Sequence, residues 1–266
     1  MASISLRQSI AWLPDPHSEA TSTVVLTSPQ RRFVDVRILL PADAKPSMAD
    51  GSFSAPSSPS TLGLDWALAG TSSSTPVADT NGKFSDGVWR HWVDSRYADA
   101  DSQVDAGRNT EQPDGSVLEV GCMENPATGQ VAAYEEVWRD IAPVSSFPEN
   151  GKPPRCLVLQ MHNTETNDRG VVELLGQFCQ GISRTQKEGV TVERWQWLPT
   201  ESMARGDGRN EVYRSSSPSS TWQMLFRHGS GSLPCVCAIT GAEKLAEGET
   251  VTSGGATWTV VEATDV

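Results

Sequence analysis

The sequence predicts a mostly β protein built from two similar barrel-like units. Short β-branched or aromatic runs bounded by turn residues recur along the chain, and no window of 11 residues holds a helical apolar period. A proline-studded break at 142–155 (APVSSFPENGKPPR) has strand patterns on both flanks. With 266 residues there is room for two ordinary domains, and the break divides one over 1–143 from one over 154–266.

In the first half, strands are expected at 23–26, 33–40, 87–96, 117–120 and 133–141. Segments 41–63 and 70–87 are rich in Pro, Ser, Ala, Asp and Gly, and 41–60 reads as a mobile surface loop with little apolar surface to offset its ordering. From Tyr134 to Ile141 both alternating faces are mixed, as in a barrel whose interior is partly polar. In the second half, strands are expected at 156–161, 170–184, 191–198, 221–227, 234–239 and 257–262. Turns fit Asn125-Pro126-Ala127-Thr128-Gly129 and Ser253-Gly254-Gly255. Residues 204–212 are too Gly-rich for a helix. Each half ends alike, with an apolar-acidic-Gly segment, a Gly-containing turn and a Trp-bearing strand, which favours two related units over one large sandwich.

Composition narrows the partners. The formal charge of −12 argues against nucleic acid and anionic membrane surfaces, because phosphate affinity comes from Lys and Arg. The first 15 residues lack the apolar core of a signal peptide, and no stretch has the roughly 18 apolar residues of a membrane span. Five cysteines without regular spacing and no Asn-x-Ser/Thr acceptor point to the cytoplasm, with nuclear access.

Nucleophile-elbow, zinc-protease and P-loop signatures are missing, and no cofactor is expected. Gly229-Ser230-Gly231-Ser232 reads as a hairpin turn, since Leu233-Pro234 follows where a helix would have to begin. Cys235 and Cys237 fall on one face of a strand; with Cys156 and Cys179 they read as buried inert thiols, their spacing being wrong for structural zinc. Asp94, Asp99, Asp101 and Asp105 read as a solvated acidic loop, because Gln103, Val104 and Thr110 break a calcium-loop pattern.

The richest segment is Gly87-Val88-Trp89-Arg90-His91-Trp92-Val93-Asp94-Ser95-Arg96. Alternation puts Trp89, His91, Val93 and Ser95 on one face and Arg90, Trp92, Asp94 and Arg96 on the other. Aromatic walls with a few polar groups are what small-molecule pockets use. The ligand-site candidates are therefore Trp66, Trp89, His91, Trp92, Tyr134 and Trp138, with Trp195 and Trp197 in the second half. Arg90, Arg96 and Arg139 are candidates to orient a polar head group.

Asp65-Trp66-Ala67-Leu68-Ala69-Gly70-Thr71, Trp92-Val93-Asp94-Ser95, Gly121-Cys122-Met123-Glu124, Glu136-Val137-Trp138 and the ending from Gly248 to Trp258 resemble the fungal Hri family over nearly the whole chain. The resemblance implies paired lipocalin-like antiparallel β-barrel domains, residence in cytoplasm and nucleus, and association with a casein-kinase-type protein kinase and secretory-translocation components. It supplies no catalytic residues. The leading expectation is a non-enzymatic binding or adaptor protein whose barrel holds a small hydrophobic molecule. The alternative is a cofactor-independent isomerase or cyclase acting on a hydrophobic fungal secondary metabolite, with its acid or base among His91, Asp94, Glu119, Glu136 and Glu193. Ser-rich segments 57–60 and 215–220 are candidate phosphorylation sites for a scaffold.

Overall fold

A computed structural model describes residues 1–42, 44, 46–47, 49–53, 58–78, 80–146, 151–199 and 220–266. Eight strands, β1 (Ser3–Trp12), β2 (Thr21–Thr27), β3 (Arg32–Leu39), β4 (Leu64–Pro76), β5 (Phe84–Asp94), β6 (Val104–Glu111), β7 (Val117–Asn125) and β8 (Gln130–Ile141), follow one another around a closed barrel. Neighbouring strands are antiparallel, and β1 closes the ring on β8 from Ile4 opposite Ile141 to Trp12 opposite Tyr134. The remaining strands are β9 (Arg155–Asn163), β10 (Asp168–Leu175), β11 (Phe178–Thr185), β12 (Gly189–Pro199), β13 (Ser220–His228), β14 (Thr250–Ser253) and β15 (Ala256–Asp265). They form a seven-stranded sheet in the order β13-β12-β11-β10-β9-β15-β14, a curled half-barrel that stays open between β13 and β14. Among the described residues, no helix is long and apolar enough to cross a membrane.

The barrel's amphipathicity explains why the two sheets associate. In β1, Ser3, Ser5 and Arg7 point inward, whereas Ile4 and Leu6 join an apolar cluster outside the barrel. In β3, Phe33, Asp35 and Arg37 face in, and Val34, Val36 and Ile38 face out. That outer wall packs against Val158, Val171, Phe178, Ile182, Val192 and Phe226 of the second sheet, so both halves share a core. The burial of every residue in β2 follows: one face lines the barrel, and the other meets the second sheet.

A row of polar side chains crosses this interface. Register places Arg194, Gln180, Glu173, Val158 and Glu262 side by side on the second sheet. Gln180 Nε2 donates to the Val24 and Val34 carbonyls at 2.9 and 2.8 Å. Arg194 donates to Ser22 Oγ at 2.9 Å and to the Val36 carbonyl. Glu262 accepts from Ser28 Oγ at 2.6 Å and from the Gln30 amide at 3.0 Å.

Several sequence-based expectations are corrected. Residues 234–239 are not a strand: Cys235–Gly241 is a helix, α1, with Cys235, Ala238 and Ile239 buried. The buried positions 235, 238, 239 and 242 have helical spacing, but a seven-residue helix is too short to show in a longer window. Cys235 and Cys237 therefore do not share a strand face; Cys235 is buried and Cys237 half-buried. The glycine-rich stretch before them does lead into a helix, with Pro234 at its start. The run 170–184 is a hairpin, β10 and β11, turning at Gly176 with φ +55°. Residues 70–76 continue strand β4, and Val104–Glu111 is a strand rather than part of an acidic loop. Within 41–60, Phe53 is buried in the shared core, so this segment is not wholly at the surface. Residues 43, 45, 48 and 54–57 of that segment, 147–150 of the proline-rich break, 204–212 and 215–219 lie outside the described residues.

On its far side the half-barrel is filled. Leu157, Leu159, Leu174, Cys179 and Trp258 pack against Leu233, Ala238 and Ile239 in and just before α1. Trp195 and Trp222 lie against the same cluster.

Candidate functional site

The closed barrel contains a cavity of about 290 Å³. Trp89, Trp138, Phe33, Leu68, Val25 and Met123 supply its apolar wall, and Ser3, Ser5, Ser72, Ser74 and Ser85 form much of the remainder. The other lining groups include Asp35 and Arg37 from β3, Asp105 from β6, Glu119 from β7, and Tyr134 and Glu136 from β8. Each projects inward because strand alternation leaves the other face to the outer wall.

These groups form a connected network. Arg37 donates through Nε and Nη2 to Asp35 Oδ2 at 3.0 and 2.9 Å, and Nη1 reaches Glu136 Oε1 at 3.4 Å. Arg7 Nη1 donates to the same Glu136 oxygen at 2.6 Å, while its other nitrogens hold Glu19. The Tyr134 hydroxyl donates to Glu119 Oε1 at 2.7 Å. Burial, with the Glu136 charge beside it, raises the Glu119 carboxyl to a pKa of about 8; the Tyr134 hydrogen bond only partly opposes this. Burial also moves the Asp35 carboxyl upward despite Arg37. Glu119 is thus a mostly neutral acid at pH 7, next to an arginine-bound carboxylate.

Glycines make room for this pair. A Cβ at Gly107 would meet the Glu119 side chain at 2.7 Å, and one at Gly121 would lie 2.6 Å from the Tyr134 hydroxyl.

Beside the cavity, His91 joins two acids. Its Nδ1 lies 2.8 Å from Asp94 Oδ2 and its Nε2 3.1 Å from Asp105 Oδ2. Burial pulls the imidazolium down, but hydrogen bonds and charges from Asp105 and Asp94 outweigh it and carry the pKa to about 9. Asp94 also accepts from Trp66 Nε1 at 3.0 Å and from the Arg96 and Tyr97 amides. Strict alternation places Asp94 opposite His91. The β4–β5 register instead jumps, Ala69 pairing with Val93 and Gly70 with His91, so Trp92 is an extra bulged residue and Asp94 returns to His91's side.

Of the sequence candidates, Trp89, Tyr134 and Trp138 line the cavity. Trp66 and His91 lie buried beside it, their rings 5.9 Å apart, with the Arg37 and Arg96 guanidinium groups 4.9 and 4.5 Å from the Trp66 ring centre. Trp92 is directed to the inter-sheet boundary, where its ring meets His162 at 5.6 Å. Trp195 donates to Glu193 Oε2 at 2.9 Å, and Trp197 sits opposite Trp222, both in the other sheet. Arg90 is exposed, Arg96 binds Asp65, and Arg139 binds Asp114. Arg37, which lines the cavity and donates to both Asp35 and Glu136, is an arginine that sequence reading missed together with Asp35. Their one signal was the charged alternation in Arg32-Phe33-Val34-Asp35-Val36-Arg37, unusual for a strand with no solvent face.

Two polar atoms of cavity-lining residues stand without partners among the described residues: Asp35 Oδ1 and the Trp138 indole nitrogen, both shielded from solvent.

A family model described as Protein HRI1 matches residues 3–262. Curated proteins named Protein HRI1 from Saccharomyces cerevisiae strains YJM789 and RM11-1a are each 24% identical over 266 residues, spanning 93% of this chain and 93% of their own. A crystal structure of an uncharacterized Saccharomyces cerevisiae protein superposes with a TM-score of 0.65 at 20% identity, covering 99% of both chains.

Proposed function

The chain belongs to the Protein HRI1 family, and on that footing we propose that its closed barrel is a binding calyx for a compact amphipathic small molecule. The observation that carries this reading is an aromatic-walled cavity of about 290 Å³ whose lining combines Trp89 and Trp138 with the buried polar residues Asp35, Glu119 and Tyr134. The volume sits near the lower end of ligand pockets, which run from roughly 300 to 1,000 Å³, and favours a small ring system over a long acyl chain.

The test is a fragment screen followed by the indole N–H resonances of Trp89 and Trp138, repeated on a plugged barrel, Ser72→Phe. Hits that move both indoles and vanish on plugging support the calyx. Hits that survive plugging, or a screen in which neither indole moves, overturn it.

A second reading, a cofactor-independent isomerase or cyclase, is favoured by Glu119. A neutral carboxylic acid held by Tyr134 at the cavity wall can donate a proton to a bound substrate and accept one back. Loss of turnover in Glu119→Gln with binding retained would support it. Association with a casein-kinase-type kinase and translocation components, in cytoplasm and nucleus, belongs to the proposal on family resemblance alone. Co-purification of the tagged chain with such a kinase tests it.

A further inference from the structure

We infer that the calyx selects organic cations: an ammonium or guanidinium head seated against Asp35 and Glu119, with its apolar body on the Trp89 and Trp138 rings. This rests on the calyx reading and adds the sign of the ligand's charge.

Acids outnumber bases in the lining. Five carboxyl groups line the cavity (Asp35, Asp105, Glu119, Glu136 and Asp140) against two arginines, Arg31 and Arg37. Arg37 is already committed to Asp35 Oδ2 and Glu136 Oε1, so it offers an incoming carboxylate little. The acids have capacity to spare. Asp35 is 4% exposed and meets Arg37 through Oδ2 alone, its Oδ1 being shut off from solvent, and Glu119 engages Tyr134 through Oε1. A lining in which carboxyl groups outnumber arginines is complementary to a donor that carries positive charge.

The wall adds to this. Indole faces attract cations through the ring quadrupole, most strongly where water is excluded. The fold already uses that interaction, with Arg37 and Arg96 over Trp66 and Arg169 over Trp92. Trp89 and Trp138 line the cavity, and neither has a protein cation over it among the described residues. Long-range attraction acts in the same direction, since a chain of net charge −12 draws cations toward its surface.

Proton linkage gives a signature that a merely sticky cavity would lack. Glu119 holds its proton at neutral pH, and a cation placed beside it favours the carboxylate, so binding releases a proton. The groups that bear on Glu119 are Glu136 and Tyr134 from β8, Arg37 from β3 and Asp105 from β6, with Arg7 of β1 bound to Glu136. His91, held by Asp105, titrates nearest to it, at about 9.

The experiment compares three probes on the full chain: 2-phenylethylammonium, which is charged at both pH values and donates N–H, 2-phenylethanol, and phenylacetate. Binding is read by indole N–H shifts and calorimetry at pH 6.5 and 8.5. The expected result is binding of the ammonium ion alone at up to about 10 mM, strengthening roughly tenfold between the two pH values as Glu119 ionises. Glu119→Gln, checked for an unchanged thermal midpoint, should flatten that dependence, and Asp35→Asn should weaken binding at both pH values. Equal or tighter binding of phenylacetate or 2-phenylethanol would overturn the charge preference while leaving the calyx standing. A pH dependence that persists in Glu119→Gln would refute the assigned seat. If no probe moves Trp89 or Trp138, the cation inference fails, and the fragment screen with its plugged variant judges the calyx separately.

Discussion

Replacing Glu173 with methionine is expected to stabilise the protein at neutral pH and to have little effect in mild acid. Glu173 is fully buried at the centre of the inter-sheet row, and neither carboxylate oxygen has a hydrogen-bond partner among the described residues. Burial, aided by the Glu262 charge, pushes its pKa well above the ordinary 4.5, and Arg32 only partly opposes this. The folded protein therefore holds this proton to a higher pH than the unfolded chain, which gives it up above pH 4.5. With fewer protons on the unfolded state, stability falls as pH rises, by about 1.4 kcal/mol per pH unit. The loss accumulates from the unfolded pKa up to the higher folded one. Methionine fills a similar volume and cannot ionise, so it removes this loss. The gain corresponds to roughly 2–4 °C in Tm per kcal/mol for a chain of this size. Urea unfolding followed by tryptophan emission at pH 5 and pH 7, on both proteins, measures it. A variant that is less stable at both pH values, or a difference that does not grow with pH, would show that Glu173 is ionised or hydrogen-bonded in the fold and would refute the reasoning.

His91 works through the raised pKa of a base. The shift from 6.5 to about 9 means its contribution is complete below pH 6.5 and disappears as pH passes about 9. In Asp94→Asn, an imidazole titration by NMR should show that pKa falling by about one unit or more, with a stability loss of roughly 2 kcal/mol at pH 7. Gly121→Ala should push the Tyr134 ring off Glu119, costing roughly 1–3 kcal/mol by urea unfolding. The barrel half alone, residues 1–143, exposes Ile4, Leu6, Val24, Leu26, Val34, Val36 and Ile38 and should self-associate or remain unfolded by size-exclusion chromatography and circular dichroism. A stable monomer would show that the shared core is dispensable.

Much of the architecture was legible because its strands announce themselves locally. Val36, Ile38, Val158 and Val192 sit in short β-branched runs ended by turns, and the Trp-bearing strand at 133–141 carried the mixed faces of a polar-lined barrel. Other parts were hidden for physical reasons. The serines of β4 read as loop, because small polar side chains suit the wall of a cavity as well as they suit a surface turn; Ser72 and Ser74 line the barrel. Asp94 was placed on the wrong face because the extra residue at Trp92 belongs to strand pairing, which local alternation does not encode. Arg37 and Asp35 pair within β3, but Glu136 and Arg7, which complete their network, come from β8 and β1, far apart in sequence, so no local pattern marks the site.

The same arrangement explains why the barrel interior is free to be a site. In an isolated barrel the inward face has to serve as the core, and an incompletely filled interior loses stability. Here the apolar residues of β1, β2 and β3 face outward into a core shared with the second sheet, which relieves the inward face of that duty. That face can then hold small residues such as Ser72, Gly107 and Gly121 beside Glu119 and Tyr134, leaving space where a packed barrel would have branched aliphatics. The second sheet takes the opposite course, its far side closed by α1 and Trp258. Of the two halves, one is stabilised by filling and supports the other, whose hollow interior carries the titratable groups.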